Sequence, residues 1–527
     1  MRQLIAGVLC VPLVVASCQL AVKFDRHERA SGGDAGSGGS ETSVGGSSGG
    51  TQSTGGKSAS GGVAGQSTNT SSGGSVASTE TGTGGATTSA TACNIESTTW
   101  ASGDLNPQNK CLACKAAVSS TTWVPVQDGT SCGTGSVCFQ KTCQSGCWIG
   151  NGYFAAGSPN PDNPCQSCQP SQTTTEWSNV PSSRCVTAIA AGNDHSCAVM
   201  GGKAYCWGSN TKGQLGDNSS TSSSKPVPVK NLDAVTALSA GHEHSCAVVD
   251  GAAWCWGGNG FGQLGNGSVD LSAVPVPVKG LSSGVSAISG QLAHTCALVH
   301  GAVYCWGNNM DGQLGSDSPT TSPTSVKSYD SSLATAVLAS STSSCTISMA
   351  TVSCWGGVFR TGDSGTSTSP ARIRTLGLTA TAIAGTSKSF CAIANGGVEC
   401  WGENISGELG TGAMDNSASP VRVQGLDIGA TAISGMHMQF CAVVSGAAYC
   451  WGYNHFGQLG DDTTDSRNAP VPVKGLVSGV TAIEVGLSHA CAIMNGKAYC
   501  WGDNWNGQLG DGTTTSSLVP VQVKFPE

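Results

Sequence analysis

Charge is what this chain has least of. Asp, Glu, Lys and Arg make up 11% of its 527 residues, under half of the roughly 25% usual in globular proteins. The formal net charge of −8 is spread thinly and no run of Lys or Arg occurs. That excludes the basic patch which nucleic acid or an anionic membrane surface would need. Long apolar runs are also scarce, and beyond the N-terminus no segment could span a bilayer. Catalytic signatures are missing too. There is no nucleophile elbow, phosphate loop, HExxH motif or recurring acid pair, so no catalytic residue, cofactor or metal site is expected.

Two residue types are in excess, with 76 Gly and 26 Cys. Cysteine at this density suits an oxidising compartment, and the N-terminus supplies a matching address. Arg2 precedes an apolar run from Leu4 to Ala16, the length of a signal segment rather than a membrane span. The run ends in Val15-Ala16-Ser17-Cys18, which resembles the lipobox of bacterial lipoproteins. The resemblance implies a signal peptide at 1–17, lipidation of Cys18 and, with Gln19 following, an outer-membrane destination open to surface exposure. Residues 18–92 are almost wholly Gly, Ser, Thr and Ala from about Ala30 onward. Such a segment has nothing to bury and is expected to be a disordered tether, spanning on the order of 45 Å.

Residues 93–185 hold ten cysteines in a duplicated pattern. Cys93, Cys111, Cys114, Trp123 and Cys132 recur as Cys147, Cys165, Cys168, Trp177 and Cys185, with Cys138 and Cys143 between the units. Two CxxC pairs can form a zinc site or redox pairs. In an exported chain a small disulfide module is the expected form, with its connectivity left open by the sequence.

Beyond Val186 a repeat takes over. Cysteine pairs stand at 197/206, 246/255, 296/305, 345/354, 391/400, 441/450 and 491/500, and Trp-Gly follows every second cysteine. Each unit offers four short strands, A to D. The Pro-Val-Pro-Val type segment of D fits an edge strand, where a missing N–H costs no ladder bond. Four-stranded units repeated seven times predict an all-β, seven-bladed propeller over 186–527. A two-residue type I′ turn between B and C, as at Gly201-Gly202, Asp250-Gly251 and Asn495-Gly496, sets Cys197 opposite Cys206 at a close, non-hydrogen-bonded position. One disulfide per blade follows: Cys197–Cys206, Cys246–Cys255, Cys296–Cys305, Cys345–Cys354, Cys391–Cys400, Cys441–Cys450 and Cys491–Cys500.

The runs His195-Ser196-Cys197-Ala198-Val199, Tyr205-Cys206-Trp207-Gly208, Asn210 and Gly213-Gln214-Leu215-Gly216 resemble the regulator of chromosome condensation repeat family. The resemblance implies the propeller. It carries less about function, because propellers host many roles. The family's namesake exchanges nucleotide on a nuclear GTPase, a partner that an exported chain does not meet. Secreted bacterial members that bind proteins are the nearer analogy.

If strand A runs up, the A–B and C–D loops share one face and the tight B–C turns the other. Large apolar residues recur on the loop tips of the first face, and Phe261, Met310, Phe359, Met436, His437, Phe456 and Trp505 are the candidate binding residues. They serve either as a contact surface or as plugs folded between blades. Unit four is the shortest, lacks the Gly-Gln-Leu-Gly tetrad and has Met349-Ala350 at its turn, which reads as drift. His195, His244, His294 and His489 precede the first cysteine by two residues in four units, and a repeated structural hydrogen bond explains them better than a metal. The expected role is a non-enzymatic, surface-displayed binding protein for a protein or glycan partner. A hydrolase or lyase with a site in the central depression, or a purely structural surface component, are the alternatives.

Overall fold

The computed structural model describes residues 91–179, 184–316, 320–329, 333–357, 367–372 and 379–526, with the backbone alone at 329 and 367–372. The signal peptide, Cys18 and nearly all of the expected tether lie outside the described residues, as does Phe359.

From Val186 onward the chain forms seven four-stranded antiparallel sheets, each built from four consecutive strands. In the first blade A is Val186–Ala191, B is His195–Met200, C is Lys203–Gly208 and D is Ser223–Pro228. In the last they are Val480–Val485, His489–Met494, Lys497–Gly502 and Ser517–Gln522. The A strands pack side by side around the axis and the last closes onto the first. The protein is an all-β, seven-bladed propeller, and no helix occurs among the described residues.

The B–C hairpins have the register that the cysteine spacing requires. Met200 pairs with Lys203 and Cys197 with Cys206, and the same pattern recurs in every blade. The turn residues take positive φ throughout, including Met349 (48°) and Ala350 (57°) in the fourth blade. The backbone therefore holds a type I′ turn there without the glycine or Asn/Asp that favours it. Seven B–C disulfides bridge the hairpins at Cα separations of 4.0–4.1 Å. These cystines do more than staple a hairpin. Each faces the next blade, so that Cys197 and Cys206 share an apolar cluster with Val235, Leu238 and Trp256.

No strand crosses from one blade to another, so side chains and loops join the blades. The indole N–H of Trp256 donates to the Gln214 carbonyl of the preceding blade at 2.9 Å. Trp207, Trp306, Trp355, Trp451 and Trp501 make the same bond to Gln508, Gln263, Gln313, Glu408 and Gln458. Gly216 shows why the tetrad needs its last glycine: φ is +71° and a Cβ would sit 2.7 Å from the Trp256 Nε1. The exception falls after the fourth blade, which lacks the tetrad. There Trp401 is buried and its Nε1 has no partner among the described residues.

The C–D loops do not stand free as long surface loops. After the tetrad they run onto the outer edge of the next blade, where Asn218 N donates to Ala273 O, Asp462 N to Leu518 O and Gly512 N to Ser224 O. This covers part of the otherwise open D edge of the first, second and seventh blades. The last blade uses the same device on the first, and Phe525 adds edge-on contacts with Tyr205 and Trp207.

The cysteine-rich segment forms short sheets bonded as Cys93–Cys114, Cys111–Cys138, Cys132–Cys143, Cys147–Cys168 and Cys165–Cys185. Every CxxC cysteine is bonded outside its own pair, which removes the zinc and dithiol readings of both motifs. The duplication is visible in three dimensions, with Trp100 on Trp123 in one unit and Phe154 on Trp177 in the other. Cys185 occupies the position that Gly284, Gly429 and Gly479 hold before other blades, and its carbonyl receives the Gly201 N–H. Lys497 Nζ reaches the Pro161 carbonyl at 3.3 Å. The segment is thereby seated on the B–C-turn side, at the seam of the last and first blades. Reduction under denaturing conditions should raise the intact mass by about 24 Da, two hydrogens for each of twelve bonds. A smaller increase would show free thiols among these pairs.

Candidate functional site

A face defined by the A–B hairpins and the starts of the C–D loops surrounds one end of the axis. Its scaffold is rigid for a local reason. In each complete unit the Asn after Trp-Gly is buried and its side chain closes a cage. Asn454 Oδ1 accepts from Leu459 N, while its Nδ2 donates to Asp461, Thr463 and Asp465. Asn210, Asn259, Asn404 and Asn504 do the same. Asp217, Asp461 and Asp511 each accept the N–H two residues on, as turn-forming residues do.

The cages hold up the tip residues. Trp505 is 72% exposed, Met310 64% and Ile405 59%, while Phe261 is at 36%. Phe456 is half-buried and meets Trp505 of the next blade edge to face, with ring centroids 6.1 Å apart. His455 stacks on Tyr453 at 4.5 Å, and His437 meets Tyr453 edge-on at 5.7 Å. The structure thus forms two aromatic groups across blades six and seven, Phe456 with Trp505 and Tyr453 with His437 and His455, which adjoin through the backbone of His455 and Phe456. Tyr453 gave no signal in the repeat, because its importance lies in its neighbours from the A–B hairpin.

Met436 is a correction. It is fully buried, because strand A of the sixth blade runs to Ala430–Met436 and pairs Met436 with Gln439. The side chain joins the core between blades six and seven and does not belong to the surface. Only His437, held at φ +58° in the hairpin, and Met438 remain accessible.

The four histidines lie beneath this face and are wholly buried. His195 Nε2 bonds Ser245 Oγ at 2.8 Å, His244 bonds Thr295, His294 bonds Ser344 and His489 bonds Ser196, each across a blade seam. Each hydroxyl already donates to a tetrad carbonyl, such as Gln214 O for Ser245. Nε2 must therefore carry the imidazole proton. Burial, reinforced by neighbouring histidines for His195 and His244, lowers all four pKa values to about 3. The pairing has a sequence rule. Where B opens with His, the second B residue of the next blade is Ser or Thr; after Ser343, Ser389 and Gln439 it is Phe390, Phe440 and Ala490. Phe390 and Phe440 stack on Trp401 and Trp451 instead. Gly192 makes room for its histidine, since a Cβ there would lie 2.6 Å from His195 Cε1.

On strand A of the last blade, opposite Cys491 of strand B, stands Glu484. It is 3% exposed and accepts a hydrogen bond from Ser434, and burial raises its carboxyl well above the usual range.

The profile described as "Regulator of chromosome condensation (RCC1) repeat" matches residues 201–248, 250–298, 300–347, 445–493 and 495–527, and a second profile of that description matches 186–214. The chain carries an RCC1-repeat β-propeller. The five longer matches begin at or just inside the B–C turns, so the family's sequence repeat is phased across blades rather than within them. Among solved structures, human WBSCR16 is similar at 21% identity and a TM-score of 0.53, over 62% of this chain and 94% of that one. Yeast RCC1 (Prp20), solved bound to Kap60, is similar at 19% and 0.53, over 65% and 85%. Prp20p from Saccharomyces cerevisiae, studied with its binding to Gsp1p and histones, is similar at 18% and 0.53, over 65% and 87%. Likeness at these identities is a statement about the RCC1 propeller as a fold. No curated protein matches the sequence.

Proposed function

We propose that this chain is a non-enzymatic binding protein that presents the loop face of its RCC1 propeller to a protein partner. The exposed Trp505, in contact with Phe456 on a hydrogen-bonded cage, is the observation that carries the reading. Large aromatic side chains on a preorganised scaffold contribute contact area at little entropic cost, and apolar clusters of this kind mark contact sites. Yeast RCC1, which shares the fold, is solved with a protein bound. Export and a lipid on Cys18 complete the proposal. The cysteine-rich segment sits on the B–C-turn side, so a tether entering there would leave the loop face pointing away from the membrane.

The test is a triple substitution, Phe261→Ser, Phe456→Ser and Trp505→Ser. Melting should stay within about 2 °C, because surface changes of this type fall within about 0.5 kcal/mol each. Capture of a surface partner by the immobilised chain should be lost. A collapse in melting temperature would show that these rings are blade plugs, and undiminished capture would move the site elsewhere.

A further inference from the structure

A groove of about 750 Å³ opens where the cysteine-rich segment meets the propeller, on the B–C-turn side at the seam of the last and first blades. Its volume falls within the roughly 300–1,000 Å³ of ligand-sized sites. Pro159, Asn160, Pro161 and Pro164 form one wall, and the Gly496 turn with the segment after strand D of the last blade forms the other. Three ties hold the walls in place. The Cys165–Cys185 disulfide joins the segment to the start of the first blade. Lys497 Nζ donates to the Pro161 carbonyl. The Gly496 turn packs so closely on Cys165 that a Cβ would lie 2.5 Å from its Sγ.

The charged residues lining this groove are all cations. Arg184, Lys497 and Lys524 stand around it, and no carboxylate lines it among the described residues. That reverses the balance of a chain with formal net charge −8 and only 24 Lys and Arg. Arg184 and Lys524 are exposed and Lys497 is half-buried, so the charge lies open to a ligand. Lys497 spends one N–H on Pro161 and keeps two donors. Lys524 enters no ion pair among the described residues. The rest of the lining is largely apolar. Val186 and Val523 are buried, and Met200 and Phe525 are half-buried, with Phe525 held by its edge-on contacts with Tyr205 and Trp207. An apolar floor under a cationic rim matches carboxylates carried beside an apolar side chain. Inorganic phosphate would leave the floor without a contact, and an acyl chain would leave the exposed Gln522 amide without one. An extended peptide serves both, through its side chains and its backbone amides.

We propose that this groove binds an acidic peptide segment of a protein partner. Its carboxylates meet Arg184, Lys497 and Lys524, and an apolar side chain rests on Val186, Met200, Val523 and Phe525. The site lies on the side of the propeller away from the loop face and stands whether or not that face binds a partner. Its charge pairing is exposed and is therefore screened by salt.

The probe is Ac-Asp-Glu-Leu-Glu-Phe-NH2, titrated calorimetrically into the full chain at low salt. One counterpart, Ac-Asn-Gln-Leu-Gln-Phe-NH2, lacks the carboxylates, and another, Ac-Asp-Glu-Gly-Glu-Gly-NH2, lacks the apolar side chains. The probe should bind saturably and more weakly as salt rises. The uncharged peptide should not bind, and the glycine peptide should bind several-fold more weakly. Lys524→Gln should weaken the probe about threefold with melting unchanged, and Lys497→Gln added to it should bring the loss to about tenfold. No saturable heat at millimolar probe, equal binding of the uncharged peptide, or full affinity in the double variant would overturn the site. Displacement by equimolar inorganic phosphate would also overturn it, as a simple anion site. Phe456→Ser with Trp505→Ser should leave probe binding intact, and its loss there would move the peptide to the loop face and sink the groove.

Discussion

Acidification from pH 7 to pH 5 should destabilise the propeller by several kcal/mol, well before its surface carboxylates titrate. The four seam histidines are neutral in the fold, with pKa values near 3, and titrate near 6.5 once unfolded. Their contribution is complete above pH 6.5 and is lost as pH falls toward 3, because the unfolded chain binds the extra protons. Each loses about 1.4 kcal/mol per pH unit, so at pH 5 the four together lose on the order of 8 kcal/mol. Glu484 acts in the opposite sense. Its raised carboxyl costs stability above the unfolded value and relieves that cost as pH falls, so it opposes the histidines. Urea unfolding at the two pH values tests the sum. His244→Gln should remove about a quarter of the pH dependence, with the pH 7 midpoint also lowered by the lost bond to Thr295. Equal midpoints at pH 7 and pH 5 in the parent protein would show that the histidines are hydrated or already charged.

Replacing Trp256 should cost far more than its burial alone. Trp256→Ala empties a seam position where the ring touches no solvent, a loss of about 4 kcal/mol. The more discriminating comparison is with Phe, which keeps most of the ring and deletes the N–H. Trp256→Phe breaks the bond to the Gln214 carbonyl. Trp401→Phe instead removes a buried donor that has no partner among the described residues, so it should be milder by about 1–2 kcal/mol. Matching losses in denaturant unfolding would mean that Trp401 Nε1 is satisfied and that the missing tetrad of unit four has no energetic trace at the next seam.

Both experiments concern seams, and seams are what a repeat sequence describes least directly. The hairpins were legible because their rules are local. A nine-residue cysteine spacing and a two-residue turn fix the strand register without reference to anything else, and Pro in strand D marks an edge. The histidines were legible only by half. Their repetition announced a structural hydrogen bond, but the partner lies about fifty residues away, in the next blade. The matching Ser or Thr is informative only when the units are compared out of step by one.

The surface divides in the same way. Trp505, Met310 and Phe261 are exposed because short-range cages around Asn504, Asn309 and Asn259 push the following residues outward, and the sequence carries those cages. Met436 looked equally exposed by position, yet it lies in the core because its strand extends to the hairpin, a length set by pairing with Gln439.

What the sequence by itself determined is therefore the unit: four strands, their register, their disulfide and the all-β class, each set by interactions within one blade. What the tertiary structure decided is everything between units. Closure brings Gln508 to Trp207 and His489 to Ser196, residues about three hundred positions apart, and it folds the C–D loops onto neighbouring edges. A periodic pattern specifies its own repeat through short-range geometry. The contacts between copies, and the face that those contacts assemble, depend on an angle between blades that no single repeat contains.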